Sequence, residues 1–147
     1  MASIVHISEA VSIGVHAALC LAAAPERYWS TREILKRYSF SEAHLAKIMA
    51  VLVRAGLVVA LRGPQGGARL SRPPEQITLL EIYEAIDGPM TMASCLLGSK
   101  GCGAVCCQVG PKLAAVNQSM RDYFGSVCLS DLIKPAATGR KQEKRHA

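Results

Sequence analysis

The sequence predicts a mainly α fold with one small β-hairpin, arranged as a winged helix-turn-helix and followed by a long C-terminal helix. Three observations predict it. Two short helix signals stand in tandem between Ser30 and Arg54, the chemistry of a helix-turn-helix. The β-rich run Leu57 to Leu61 leads into the turn Gly63-Pro64-Gln65-Gly66-Gly67 and returns at Ala68 to Leu70, which makes a hairpin. Positive charge is concentrated over the same stretch: nine Arg and Lys stand against two Glu from Arg27 to Arg72, a net of +7, whereas Pro73 to Thr91 carries four acidic residues and no base. A chain of 147 residues, 50% apolar and 19% charged, is a single domain or one compact domain with an appendage, and a local basic face suits phosphate binding.

Taken in order, Ile7 to Ala24 reads as a helix that is apolar nearly all round, hence enclosed by other elements or by a partner chain. On it Glu9, Ser12, His16 and Cys20 recur at steps of three and four and share one stripe. That stripe is either satisfied within the core or meets the cysteines further along. The run could be taken for a signal peptide ending at Ala22-Ala23-Ala24. It has no Lys or Arg before it and is interrupted by Ser12 and His16, so a soluble cytoplasmic protein without a membrane span is expected.

Three helix starts pair a capping hydroxyl with a Glu three residues later: Ser30 with Glu33, Ser39 with Glu42, and Thr78 with Glu81. The first opens a short helix to about Tyr38. The second opens a helix to about Arg54, with Leu45, Ile48, Met49 and Leu52 on the buried edge and Ala43, Lys47, Ala50 and Arg54 opposite. Small alanines between two bases would let that face enter a groove. Arg62 and Arg69 flank the hairpin tip, and basic arms of this form can enter a minor groove. The stretch RGPQGGAR opens no helix and is not followed by Gly-Lys-Ser/Thr, which disfavours a nucleotide-phosphate loop.

Pro73-Pro74 ends the hairpin, and Thr78 to Asp87 forms a helix stopped by Gly88-Pro89. From Gln108 to Val127 a long helix carries Leu113, Val116, Met120, Tyr123, Phe124 and Val127 near a heptad seam, with Asn117 and Arg121 off it. The seam suits a second copy of the chain or the domain's own core. These signals divide the chain into a winged helix-turn-helix over 1–90, a cysteine-rich sensor loop over 91–108, a dimerisation helix with a C-terminal helix over 109–134, and a basic, disordered tail over 135–147.

The stretch Cys95 to Cys107 holds four of the six cysteines, spaced Cys-x6-Cys-x3-Cys-Cys. In a reducing cytosol such a cluster points to metal or redox chemistry more than to structural disulfides. Thiolates suit iron–sulfur clusters, zinc or Cu(I), and the one short gap keeps zinc open. Cys106 and Cys107 could instead form a regulatory disulfide with Cys95 or Cys102. A small redox enzyme or electron carrier is a remote alternative, because no nucleophile with an adjacent base and no Cys-x-x-Cys beside a βαβ pattern is found. Cys20 and Cys128 read as ordinary buried thiols within apolar helices.

In this order of elements the chain resembles the Rrf-two type winged-helix transcriptional regulators, which include the IscR- and NsrR-like iron–sulfur and redox-sensing repressors. The resemblance covers about residues 5 to 134. It is most specific in LVRAGLVVALRGPQGGARLSRPPEQITLLEIYEAIDGP, from Leu52 to Pro89, and in the cysteine loop after it. It implies a homodimer that binds palindromic operator DNA, most often as a repressor and not as an enzyme, and that answers to a 2Fe–2S or 4Fe–4S cluster held by three cysteines per subunit.

Position by position, the resemblance makes Cys95 the first ligand, Cys102 the second and Cys107 the third, where CQVGPKL leads into the long helix. The second gap is shorter than the family's and the third cysteine is doubled, so Cys106 is an alternate to Cys107 or a resolving thiol. Related regulators draw a fourth ligand from the first helix, at a position that here holds Ser12, a poor ligand. His16, one turn on, is the candidate, with Glu9 and His6 also open. Base contacts fall to Ser41, His44 and Lys47 on the helix Ser41 to Arg54, with Arg62, Gln65 and Arg69 at the wing. Phosphate contacts fall to Tyr28, Ser30, Thr31 and Arg54. The alternatives to a cluster are a thiol switch, zinc, or no cofactor.

Overall fold

The computed structural model describes residues 7–90 and 108–133. Its elements are α1 (Glu9–Ala22), α2 (Thr31–Arg37), α3 (Glu42–Arg54), β1 (Val58–Leu61), β2 (Gly67–Leu70), a 3-10 turn (Pro74–Gln76), α4 (Leu79–Asp87), α5 (Val109–Ser126) and α6 (Leu129–Ile133). Helix α1 is enclosed as its composition predicts: it touches α3, α4, α6 and β2 and buries Ile13, Ala17, Ala18 and Leu21. Around it Ile34, Leu45, Leu52, Val58, Ile77, Ile82 and Leu129 complete one core. Each large side chain so buried contributes about 1.5–3 kcal/mol relative to exposure.

The cap of α2 is the one the sequence signals. Glu33 Oε2 accepts from the Ser30 backbone N–H at 2.8 Å, and Ser30 Oγ accepts from the Glu33 N–H at 3.4 Å. Helix α3 starts differently from expectation: Ser41, not Ser39, is its cap, with Oγ accepting from the His44 N–H at 3.4 Å. The cause is aromatic. Tyr38 leaves α2 extended, at φ −138° and ψ 135°, and its ring stacks on Phe40 with centroids 5.3 Å apart. Both rings meet the His16 ring of α1 edge-on, at 5.0 and 6.2 Å. With Phe40 seated against the core just before the cap, in the position of a hydrophobic staple, Ser41 is the residue that enters the helix.

Strands β1 and β2 pair antiparallel in the register Val58↔Leu70 to Leu61↔Gly67. Val58, Ala68 and Leu70 turn inward while Val59, Ala60 and Leu61 are exposed. A third segment joins at Trp29, whose N–H donates to Ala68 O at 2.8 Å and whose O accepts from Ala68 N–H at 2.9 Å. The guanidinium groups of Arg27 and Arg37 lie 3.7 and 4.8 Å from the ring centroid of this buried tryptophan.

Helix α4 has the predicted Thr78–Glu81 capping box, and Glu81 also accepts from Arg72 at 2.8 Å. Helix α5 lies against α4 through Tyr83 and Phe124, whose rings are 6.1 Å apart, and through the Arg121–Glu84 ion pair. The chain then returns to the core, where Leu79 N–H donates to Val127 O at 3.0 Å and Leu129 N–H to Ile77 O at 2.9 Å. The expected seam is split. Phe124 turns to α4, whereas Val109, Val116 and Tyr123, at steps of seven, form an outward edge 49, 64 and 62% exposed. Cys20 is buried as expected, but Cys128 is half-buried and sits between α5 and α6, with its backbone bridged to Thr78.

Candidate nucleic-acid interface and sensor residues

Helix α3 presents Ser41, Ala43, Ala46, Lys47, Ala50 and Arg54 to solvent, and His44 is half-buried beside them. Between this face and the hairpin runs an open groove of about 990 Å³, lined by Ser30, Thr31, Lys47 and Arg54 together with Ala46, Ala50, Gly63 and Gly66. Arg62 and Gln65 are exposed at the hairpin tip. Arg69 is placed elsewhere. It alternates with the inward Ala68 and Leu70, so its guanidinium lies 5.1 Å from the Tyr28 ring centroid. There it lines a separate groove of about 550 Å³ with Glu26, Arg72 and Glu75. The structure thus brings Ser30, Thr31, Lys47 and Arg54 to one surface and sets Tyr28 with Arg69 on another. The two-residue period of β2 carried that information.

Charge in the groove is positive because Lys47 and Arg54 line it and no carboxylate does, and nearby Glu33 is engaged. Hydrogen bonds from the Ser30 backbone N–H and hydroxyl, and then Arg27, hold the Glu33 carboxyl down to about 2. Arg27, Arg72 and Arg121 are each paired with a carboxylate, and among the described residues Lys47, Arg54 and Arg62 have no such partner. The sequence reading missed Trp29, a buried residue that fixes the hairpin to the start of α2; its position between two arginines gave no sign of strand pairing.

His16 is oriented by its own helix. Its Nδ1 lies 2.7 Å from Ser12 O, and a carbonyl can only accept, so Nδ1 carries the proton. In the neutral ring Nε2 then keeps its lone pair, the state in which imidazole binds a metal. The same ring lines an apolar groove of about 210 Å³ with Val11, Leu79, Phe124 and Leu132. Cys95, Cys102, Cys106 and Cys107 lie outside the described residues, as do His6 and the tail over 135–147. Among the described residues no group of three His, Cys, Asp or Glu is placed to hold a metal. Met90, which precedes the cysteine stretch in the chain, is anchored: its N–H donates to Glu84 Oε1 at 3.2 Å, and its O accepts from Arg121 Nη1 at 3.3 Å. The Arg121 hydrogen bond holds the Glu84 carboxyl below its ordinary range.

The model of the Rrf2 family, described as iron-dependent transcriptional regulators, matches residues 7–135. The chain belongs to the Rrf2 family. As an Rrf2 protein it is a DNA-binding transcriptional regulator and not an enzyme. It is 31% identical over 130 residues to Protein aau3 of Rhizobium meliloti (strain 1021), covering 87% of this chain and 84% of that protein. The HTH-type transcriptional regulator BadM of Rhodopseudomonas palustris is 42% identical over 76 residues, and that match spans 52% of this chain and about half, 49%, of BadM. Among solved structures, CymR of B. subtilis, named as a global cysteine regulator, superposes with a TM-score of 0.74 at 25% identity over 88% of this chain and 97% of that chain. IscR of T. potens superposes with a TM-score of 0.73 at 28% identity over 94% and 95%. The Rrf2 winged helix-turn-helix is therefore the fold, with α3 and the β1–β2 wing in the places the sequence predicts. None of the described helices is long and apolar enough to cross a membrane.

Proposed function

We propose that this Rrf2 regulator is a homodimeric cytoplasmic repressor whose hold on operator DNA is set by an iron–sulfur cluster, 2Fe–2S or 4Fe–4S. Cys95, Cys102 and Cys107 would bind it, with Cys106 as alternate to Cys107 and His16 Nε2 as fourth ligand. The observation that carries the reading is the density of thiols, four in the stretch Cys95 to Cys107, beginning just after Met90 is tied to α4 and α5. The donors fit the group: thiolate sulfur and imidazole nitrogen both ligate iron, and the Ser12 carbonyl sets the ligating tautomer of His16. When bound, the cluster would supply a group that oxidants or nitric oxide attack.

This chain's own residues do the rest. The exposed edge Val109, Val116 and Tyr123 on α5 offers an apolar seam to a second copy, which would set two α3 helices about one DNA turn apart. In each copy Ser41, His44 and Lys47 face bases, Arg62 and Gln65 serve the wing, and Ser30, Thr31 and Arg54 hold phosphates, while Arg69 and Tyr28, set together on another surface, take no part in that groove. A tie between the cysteine stretch and α1 favours one relative angle of the two copies, and releasing it shifts the population. The doubled Cys106-Cys107 favours a thiol switch as the second reading.

Anaerobic purification decides between the readings. A coloured protein with iron and sulfide, losing both on Cys102→Ala, supports the cluster; a colourless one whose operator binding is unchanged by removal of all four thiols overturns cluster and switch together. DNA binding itself should weaken with salt, with a log–log slope of about −0.9 per phosphate contacted.

A further inference from the structure

We infer that the groove behind the wing, lined by Arg69, Glu26 and Glu75, binds a free α-amino acid, its carboxylate on Arg69 and its ammonium on the two glutamates. The site lies apart from the α3 face and from the cysteine stretch, and it stands whatever either of them binds. The Nε of Arg69 is buried, and among the described residues no group accepts from it. Buried N–H groups ordinarily find an acceptor. The guanidinium is held in place by the Tyr28 ring, whose centroid lies 5.1 Å away. No carboxylate pairs with Arg69 among the described residues. Arg72, which lines the same groove, is already committed: it donates to Gln76 O at 3.1 Å and to Glu81 at 2.8 Å.

A guanidinium fork takes a carboxylate through two parallel N–H groups, and Nε with one Nη is such a pair. A simple anion does not suit the groove. Glu26 and Glu75 are exposed along it, and neither pairs with a base among the described residues. They repel phosphate, sulfate or a dicarboxylate and attract an ammonium, so a ligand carrying one group of each sign satisfies all three side chains. Buried Ala22, Leu70 and Pro74 give its side chain an apolar floor. The groove, about 550 Å³, falls in the range of small-molecule sites, roughly 300–1,000 Å³. Its walls come from separate stretches, with Glu26 ahead of α2, Arg69 on β2 and Glu75 in the 3-10 turn. Tyr28 leads into Trp29 and Arg69 follows Ala68, so the ligand sits on the two segments whose bridge joins the wing to α2. A single water on Nε is the alternative, and it would leave the groove without affinity for an amino acid.

The test is equilibrium dialysis of the full chain against each of the common L-amino acids in labelled form. At least one should be retained saturably, with a Kd under about 5 mM. Its deaminated and decarboxylated analogues keep the side chain and lose one charged group each. Both should compete about tenfold or more weakly, the weight of one charge-assisted hydrogen bond. Arg69→Gln should weaken retention by a similar factor, and Glu26→Gln with Glu75→Gln should bring the deaminated analogue close to its parent. The analogue series leaves the protein untouched, so the outcome does not depend on a variant folding. Three results overturn the inference: no amino acid retained below that concentration, equal competition by either analogue, or retention unmoved by Arg69→Gln in a chain whose circular dichroism is unchanged.

Discussion

Replacing Gly67 with alanine should loosen the attachment of the wing to the segment before α2. A Cβ at Gly67 would lie 2.4 Å from Trp29 O, 2.8 Å from Trp29 C and 3.2 Å from Ser30 N, all backbone atoms that cannot rotate away. Relief requires parting β2 from Trp29, which breaks the two hydrogen bonds between Trp29 and Ala68, at 2.8 and 2.9 Å. Two bonds at about 0.5–1.5 kcal/mol each, with the desolvation cost of whichever group stays buried and unpaired, give a loss of about 2–5 kcal/mol. Gly63 supplies the control. Its φ is +118°, but an added Cβ meets nothing within 4 Å, so Gly63→Ala should cost only the backbone strain, about 1–2 kcal/mol. Trp29 is the one tryptophan in the chain, so its fluorescence follows urea unfolding at the site of damage. Protein concentration must be held fixed, because association adds to apparent stability. Equal midpoints for the two variants would refute the claim that the Trp29–Ala68 bridge holds the wing to α2.

Two further perturbations test the caps. Ser41→Ala should destabilise by about 0.5–1 kcal/mol, while Ser39→Ala should stay within about 0.5 kcal/mol of the parent in the same unfolding assay; the reverse order would restore Ser39 as the cap. Glu33 is held down to about 2 from an ordinary 4.5, so its contribution is fully present above pH 4.5 and is lost as pH falls toward 2. Thermal melts from pH 6 to 2 should therefore show a shallower acid decline for Glu33→Gln than for the parent, and identical slopes would refute the assignment.

Periodicity made most of the architecture legible. The all-round apolarity of α1 and the two-faced pattern of α3 each have one physical reading, and apart from the cap of α3 both helices lie where their patterns put them. What stayed illegible depended on contacts between distant segments. Ser39 and Ser41 both satisfy the local rule for a cap, and the choice fell to Phe40, whose ring is drawn to Tyr38 and His16 of another helix. Arg69 sits symmetrically with Arg62 about the hairpin tip in sequence, yet strand pleating turns it onto Tyr28 and away from the groove. The heptad spacing of α5 marked an apolar edge without saying how it divides, because Phe124 finds Tyr83 only once α4 and α5 are side by side.

His16 ties α1 to the turn between α2 and α3. Its ring meets Tyr38 and Phe40, the aromatic pair in the turn between α2 and α3, and Phe40 directly precedes the cap of α3. The His16 ring touches that pair on one side and borders the apolar groove on the other, so a change in its angle is shared between the pair and the groove. On its other sides α1 rests on α4, whose Glu84 holds Arg121 and Met90 where the cysteine stretch begins. A helix with one apolar face rests on one neighbour, whereas α1, apolar nearly all round, packs on α3, α4, α6 and β2 together.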